Sequence, residues 1–134
     1  MTKEDKILLV QDLSARLPYG VQIKYRDNFI TTLHNMIVHP LYNNDDSIKD
    51  YVCLIDIYGD GSYVDIENVK PILFPLYHIP ETNKDCQTLL KIVYEDELPL
   101  NESIEVIQFA YKNHIDFRGL IEKGLAIDGS TLFK

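Results

Sequence analysis

The chain has 134 residues, of which 46% are hydrophobic, and its formal net charge at pH 7 is −8. A chain of this length and composition is expected to fold around one core, which excludes wholesale disorder and any need for metal or disulfide staples. The acidic balance argues against direct nucleic-acid binding, because duplex binding needs several lysine or arginine contacts to phosphate.

No apolar run approaches the roughly 20 residues that a membrane helix needs. The N-terminus is charged in both signs and leads into a short apolar stretch, residues 7–10, which is not long enough for a signal peptide. We therefore expect a cytoplasmic protein with no membrane contact. In that reducing compartment Cys53 and Cys86 are expected to be small buried hydrophobic residues and not a disulfide pair.

The first helix is predicted over residues 1–18. Thr2 and Asp5 have the spacing of a capping box, in which the hydroxyl and the acid satisfy free backbone N–H groups. An apolar stripe follows at every fourth residue up to Pro18, formed by Leu9, Leu13 and Leu17.

A β-rich core is predicted over residues 19–76. Alternating and β-branched residues predict four strands in series, at residues 21–26, 29–38, 50–58 and 63–66. Their connections are predicted as a tight hairpin at residues 27–28, a polar loop at 40–49 and a turn at 59–62. Four strands in series form an antiparallel meander, either flat or curled into a small open barrel. Pro71, Pro75 and Pro80 are expected to exclude long regular structure after the fourth strand.

Helices are predicted for the remaining part, residues 77–134. One runs over residues 82–95 after a second capping box, and one over residues 101–112 after Asn101. Asp116 is predicted to cap a last short helix that Gly124 ends. The chain is therefore predicted to be α+β and a single domain over residues 1–134: an N-terminal helix, a four-stranded antiparallel meander and C-terminal helices.

A calcium-binding loop is the most specific metal pattern in the sequence. Counted from Asp56, acids stand at the first, fifth and twelfth positions (Asp56, Asp60 and Glu67) with glycine at the sixth. Tyr58 occupies a position that needs an oxygen ligand, and the flanks are predicted strands instead of helices. We therefore predict an ordinary turn between two strands, with no metal site and no cofactor.

Other chemistries have weaker support. The four histidines, which lack the spacings of a zinc site, are His34, His39, His78 and His114. No serine lies in a nucleophile elbow, and Gly59 and Gly61 lack the rest of a phosphate loop. Asp65 and Glu67 are predicted on one face of a strand, either as a carboxylate pair or, more simply, as two acids on the solvent side. No catalytic residue is predicted.

Tyrosine is the one residue type in excess, with nine tyrosines and no tryptophan. Tyrosine is suited to interfaces, because its ring can be buried while its hydroxyl stays wet, and it is equally common at the boundary of a core. This excess is the strongest functional hint in the composition.

Three short segments carry a family resemblance: residues 17–21, residues 67–76 and residues 114–126. Together they resemble an uncharacterised family of short hypothetical proteins from gut anaerobic bacteria and their phage-like mobile elements. That family has no assigned activity, so the resemblance implies no catalytic or binding residues.

The sequence thus predicts a small non-catalytic protein that docks to an unidentified protein partner or to itself. Two alternatives stay open: an acidic decoy of a nucleic-acid-binding surface, and an undescribed enzyme, which would need a concave pocket with converging polar groups. Residues 116–126 are predicted to be a structural lock, with Phe117 turned inward and Arg118 and Lys123 outside. The alternative is that Arg118, Glu122 and Lys123 form a docking edge.

Overall fold

The computed structural model describes residues 1–26, 29–75 and 107–132 of the chain. It divides into two compact units, Met1–Ile72 and Leu73–Lys134. The predicted α+β class is confirmed: an N-terminal helix is followed by antiparallel strands and then by small helices near the C-terminus. The sheets formed by the described residues are open and not closed into a barrel.

The N-terminal helix, α1, spans Lys3–Arg16. Its capping box is present as predicted: the backbone N–H of Asp5 donates to Oγ1 of Thr2 at 3.1 Å, and the backbone N–H of Thr2 donates to the Asp5 carboxylate at 3.4 Å. Leu9 and Leu13 are fully buried, as the stripe predicts. The helix then tightens into a 3-10 turn, Leu17–Tyr19.

An ion pair lies inside the first unit, on the buried face of α1. Nε of Arg16 donates to Oδ2 of Asp12 at 2.8 Å, and an NH2 group of Arg16 donates to Oδ1 at 3.2 Å. Both side chains are completely buried. A two-bond geometry of this kind compensates part of the cost of removing two charges from water.

Two antiparallel sheets complete the first unit. The first has the order β2-β1-β6, from β1 (Gln22–Tyr25), β2 (Phe29–Thr32) and the first half of β6 (Val69–Pro75). The second has the order β3-β4-β5, from β3 (Asn35–Tyr42), β4 (Ile48–Asp56) and β5 (Tyr63–Asp65). A short 3-10 turn, Ile66–Asn68, joins the two sheets.

The predicted strand over residues 29–38 is wrong, because the chain leaves the first sheet in the middle of it. The backbone N–H of Leu33 donates to the carbonyl of Val21 at 2.9 Å, and the Leu33 side chain is buried. The chain then enters the second sheet as β3. No glycine or proline marks this bend, so the alternating pattern runs through it without a break.

Two expectations about proline are also wrong. The predicted loop over residues 40–49 is confined to residues 43–47, because β3 continues through Pro40 to Tyr42. Likewise β6 runs through Pro71 and ends at Pro75. Proline removes one donor but keeps a φ that extended backbone tolerates, so a strand can contain it where that donor is not needed.

The second unit contains the end of β6, a helical segment at residues 107–112 and two short strands, β7 (Ile115–Asp116) and β8 (Ile127–Asp128). β6 and β7 are parallel, and the backbone N–H of Phe74 donates to the carbonyl of His114 at 2.8 Å. A four-residue helix, Gly129–Leu132, follows. The helix predicted after Asp116 is wrong, because residues 120–124 form turns instead.

The helix predicted over residues 82–95 lies outside the described residues, as does the first half of the one predicted over 101–112. None of the helices in the described ranges has the length and apolar character that crossing a bilayer demands. The prediction of one domain over the whole chain stays a prediction.

The buried ion pair of α1 generates the first testable prediction. Arg16→Leu should lower the free energy of unfolding by about 3–5 kcal/mol, because it leaves the Asp12 carboxylate buried without its cation. Chemical denaturation of the full chain measures this as a shift of the midpoint. Ser14→Leu, an exposed position of the same helix, is the control and should stay within about 0.5 kcal/mol. Equal stability of Arg16→Leu and wild type would contradict a structural role for the pair.

Candidate functional site

Two lysines hold α1 against one edge of β4. Nζ of Lys3 donates to the carbonyl of Ile48 at 3.1 Å, and Nζ of Lys6 donates to the carbonyl of Tyr51 at 3.3 Å. Lys6 also pairs with the Asp50 carboxylate at 3.3 Å. β5 pairs only with the last residues of β4. The lysines therefore occupy backbone acceptors that β5 is too short to reach.

A groove opens between α1 and the hairpin of β3 and β4. It has a volume of about 130 Å³ and an apolar surface, and it is lined by Lys6, Ile7, Val10, Gln11, Val38, Tyr51 and Cys53. An apolar cavity of about 150 Å³ is large enough to hold benzene. The groove therefore has room for one apolar side chain.

The apolar surface continues from the groove toward the tip of the hairpin. The strand register pairs Val38 with Cys53, Pro40 with Tyr51 and Tyr42 with Ile48, so these side chains lie on the same face of the sheet as the groove. Val38 is 38% exposed, Tyr42 61% and Ile48 37%. We call this set the hairpin strip: Val38, Pro40, Tyr42 and Ile48. It joins the groove to form one continuous surface.

Cys53 lies at the inner side of the groove and is only 2% exposed, as predicted for a small buried hydrophobic residue. Burial raises the pKa of its thiol. The neutral thiol therefore contributes to the apolar character of the groove.

Among the described residues β3 pairs only with β4, and two positions on its other edge offer no backbone donor to another strand. The backbone N–H of Tyr51 donates to Asp50 Oδ1 at 2.8 Å instead of to Pro40, so this is a non-hydrogen-bonded pair. Alternate residues of β3 therefore direct their backbone groups away from β4. Of these, Pro40 has no N–H and the N–H of Met36 donates to the side chain of Asn35 at 2.8 Å, whereas Val38, which lies between them, directs its N–H outward. Proline and self-satisfied donors are common protections of an edge strand.

Aromatic residues gather at the opposite end of the first unit. The rings of Phe29 and Tyr58 lie 5.2 Å apart at a tilt of 59°, and the Arg26 guanidinium lies 4.9 Å above the ring of Tyr25. Tyr58 is exposed, as are Tyr19 and Tyr42. The tyrosine excess thus supplies several exposed rings, and Tyr42 is the one that belongs to the hairpin strip.

The acids of the calcium-like pattern do not converge. The Asp56 carboxylate is 5% exposed and accepts the backbone N–H groups of Tyr58, Gly59 and Gly61 at 2.9–3.3 Å. Asp60 accepts from Ser62 at 3.0 Å, and Glu67 lies 4.0 Å from Lys6. The predicted turn between two strands is confirmed by the pairing of β4 with β5.

Within the described ranges no three His, Cys, Asp or Glu side chains come together as a metal site would require. His34 and His39 are exposed, and His78 lies outside those ranges. The prediction that Asp65 and Glu67 share a strand face is wrong, because β5 ends at Asp65. The Asp65 carboxylate instead accepts the backbone N–H of Glu67 at 2.9 Å and caps the 3-10 turn.

Most aspartates of the described residues satisfy backbone N–H groups close to them in sequence. Eight of the ten do so: Asp5, Asp45, Asp50, Asp56, Asp60, Asp65, Asp116 and Asp128. The positions of these aspartates follow from where loops and turns begin, and they are found in both units. An acidic decoy needs its acids on one face, and this arrangement gives that alternative no support.

Residues 116–126 agree with the predicted lock in their cap and in Gly124, and differ from it in the missing helix and in the position of Arg118. Asp116 accepts backbone N–H groups as predicted, although it caps a turn and not a helix. The donors are Leu120 and Ile121, each at 2.9 Å. Leu120 is fully buried, and Gly124 has the left-handed conformation expected of it, with φ +74°. Arg118, however, is not outside. It donates to the hydroxyl of Tyr111, and its guanidinium lies 5.1 Å from the ring centroid of Phe117.

Sequence reasoning missed the residues of the groove. Ile7 and Val10 look like ordinary positions on an amphipathic helix, and Val38 was placed at the end of a strand with the wrong bounds. The relation between α1 and β3 depends on a register between distant segments, which the local pattern does not contain.

No protein-family description, no curated protein and no solved structure matches this chain.

The cap formed by Asp56 generates a testable prediction. Asp56→Ala should lower the free energy of unfolding by about 1–3 kcal/mol, since three partly buried hydrogen bonds to a carboxylate are lost. Asp60→Ala, which loses only exposed hydrogen bonds from Ser62, should cost less than about 1 kcal/mol. Denaturant midpoints measure both. If Asp60→Ala cost as much as Asp56→Ala, the loop would not depend on the buried carboxylate.

The contacts of Arg118 generate a second testable prediction in this part of the structure. Arg118→Ala should cost about 1–2 kcal/mol, because it removes a stacked cation and its hydrogen bond to Tyr111. Lys123→Ala, at an exposed position of the same segment, should stay within about 0.5 kcal/mol. The same denaturation experiment compares the two. If Arg118→Ala lowered the free energy of unfolding no more than Lys123→Ala, the contacts of Arg118 would not contribute to stability.

Proposed function

We propose that this protein is a non-catalytic interaction module of the cytoplasm, which docks a protein partner on the groove and the hairpin strip. The observation that carries the proposal is the continuity of the apolar surface. A groove large enough for one apolar side chain leads directly onto Val38, Tyr42 and Ile48, which are all exposed on the same face. Isolated exposed apolar residues are ordinary, whereas a contiguous set beside a concavity is typical of a docking site.

The composition of the strip supports the same proposal. Tyr42 presents an aromatic ring with a polar tip, the kind of side chain that is enriched at protein interfaces. The edge of β3 is protected by Pro40 and by the side chain of Asn35. The strip is thus available to side chains, and two of the backbone positions beside it offer no donor for strand pairing.

A single neutral substitution tests the proposal. Val38→Gln makes the mouth of the groove polar without changing the charge, and it should remove the partner that wild type retains in purification from the native host. Ile30→Gln is the matched control, because Ile30 is 40% exposed and lies on β2 in the other sheet. That variant should retain the partner.

The comparison needs two readouts. Circular dichroism must show that both variants keep the wild-type fold, and sedimentation velocity must show whether the partner is a second copy of the chain. Retention of the same partner by wild type, Val38→Gln and Ile30→Gln alike would contradict the proposal.

A further inference from the structure

The tripeptide Asp-Gly-Ser occurs twice in the chain, at residues 60–62 and at residues 128–130. In this sequence the backbone nitrogen of glycine can attack the protonated side-chain carboxyl of the aspartate, because glycine has no side chain that hinders the approach. A C–N bond forms, the carboxyl C–O bond breaks, and the hydroxyl leaves as water with the amide proton. The product is a succinimide ring.

Water then opens the succinimide by breaking one of its two C–N bonds. If the bond to the original backbone carbonyl breaks, the chain continues through the side-chain carbon of the former aspartate. This product is isoaspartate, which has the same mass and the same charge as aspartate but one more methylene group in the backbone. The whole reaction therefore needs only water.

Both aspartates have side chains that approach the conformation of this reaction. The backbone N–H of Ser62 donates to Oδ1 of Asp60 at 3.0 Å, and that of Ser130 donates to Oδ1 of Asp128 at 2.9 Å. A hydrogen bond of this kind folds the aspartate side chain over the peptide that follows it. The larger ring that it closes contains the atoms of the succinimide. Neither the local sequence nor this hydrogen bond distinguishes the two sites.

The surroundings of the first site leave it open to reaction. Asp60, Gly61 and Ser62 are all exposed. Gly61 has a φ of +87°, and a Cβ at this position would meet no atom of the described residues within 4 Å. Its backbone N–H donates to Oδ2 of Asp56 at 3.3 Å. The attacking nitrogen is therefore restrained by a long hydrogen bond in an exposed loop, where local fluctuations are frequent.

The surroundings of the second site hold it closed. Gly129 is buried and begins the four-residue helix Gly129–Leu132. The Ser130 hydroxyl donates to Oδ1 of Asp128 at 2.6 Å, and the Thr131 hydroxyl donates to the backbone carbonyl of Asp128 at 2.8 Å. Closing the succinimide requires rotation of a peptide that this burial and these bonds hold. Local unfolding must come first, and its free energy adds to the barrier of the reaction.

We infer that Asp60 is a site of spontaneous isomerisation to isoaspartate in the native protein, whereas Asp128 is protected by the fold. The two tripeptides are identical, so the difference is a property of the structure around them. The modification would insert a methylene group into the loop between β4 and β5, which the Asp56 carboxylate caps. This inference is independent of the proposed docking surface.

Ageing of the full chain tests it. Wild-type protein is kept at physiological temperature in a mildly acidic buffer, which protonates part of the carboxyl groups, and samples are digested at intervals. Mass spectrometry with fragmentation that distinguishes the two linkages then measures isoaspartate at each site. Isoaspartate should accumulate at residue 60 at least about tenfold faster than at residue 128, which corresponds to a difference of about 1.4 kcal/mol in barrier.

Two controls connect this difference to the fold and to the residue. In a chemical denaturant both sites should react at rates within about twofold of each other, because only the shared tripeptide then acts. Asp60→Glu keeps the charge but would need a larger ring, so it should remove the signal at residue 60 and leave that at residue 128 unchanged. Circular dichroism must show that this variant keeps the wild-type fold.

The contrary outcomes are equally definite. Equal rates at the two sites of the native protein, or a faster rate at residue 128, would overturn the inference. So would native protein without isoaspartate at residue 60 after a time in which the denatured chain has reacted at both sites. A difference that persisted in denaturant would assign it to neighbouring sequence and overturn the protective role of the fold.

Discussion

Hydrogen bonds from backbone N–H groups to aspartate carboxylates are the interaction on which most of the described turns depend. They cap α1 at Asp5, close the loop after β4 at Asp56 and begin the turns after Asp65 and Asp116. Each carboxylate accepts N–H groups that no strand or helix satisfies, which is why short polar side chains are favoured at such places. Much of the acidity of the described residues is therefore a consequence of their many short elements.

The groove lies between α1 and the hairpin of β3 and β4, next to the lysines that bind α1 to β4. Lys3 and Lys6 attach the first two turns of α1 to the carbonyl groups of β4, where β5 no longer covers the edge. The helix therefore covers β4 and leaves Val38 and Tyr42 on β3 partly uncovered. The contacts of Lys3 and Lys6 thus place α1 on β4, and part of the apolar surface of β3 stays exposed beside it.

The sequence predicted the elements whose determinants are local. The capping box at Thr2, the buried leucines of α1 and the turn between β4 and β5 follow from side chains within a few positions of one another, and all three are confirmed. The bend at Leu33 and the passage of β3 through Pro40 depend on pairing with distant strands, so alternation alone could not place them. The candidate site fails to emerge from the sequence for the same reason: it is formed by α1, β3 and β4 together.

The protected edge of β3 has a consequence for the behaviour of the protein at high concentration. An eight-residue strand with apolar side chains on both faces, and with one edge unpaired among the described residues, can add to the same strand of a neighbouring molecule, and such stacking can repeat. Pro40 interrupts the row of donors in the middle of that strand, and Asn35 occupies another near its start. Two residues thus remove donors from this edge beside an exposed hydrophobic face, which disfavours growth by strand addition.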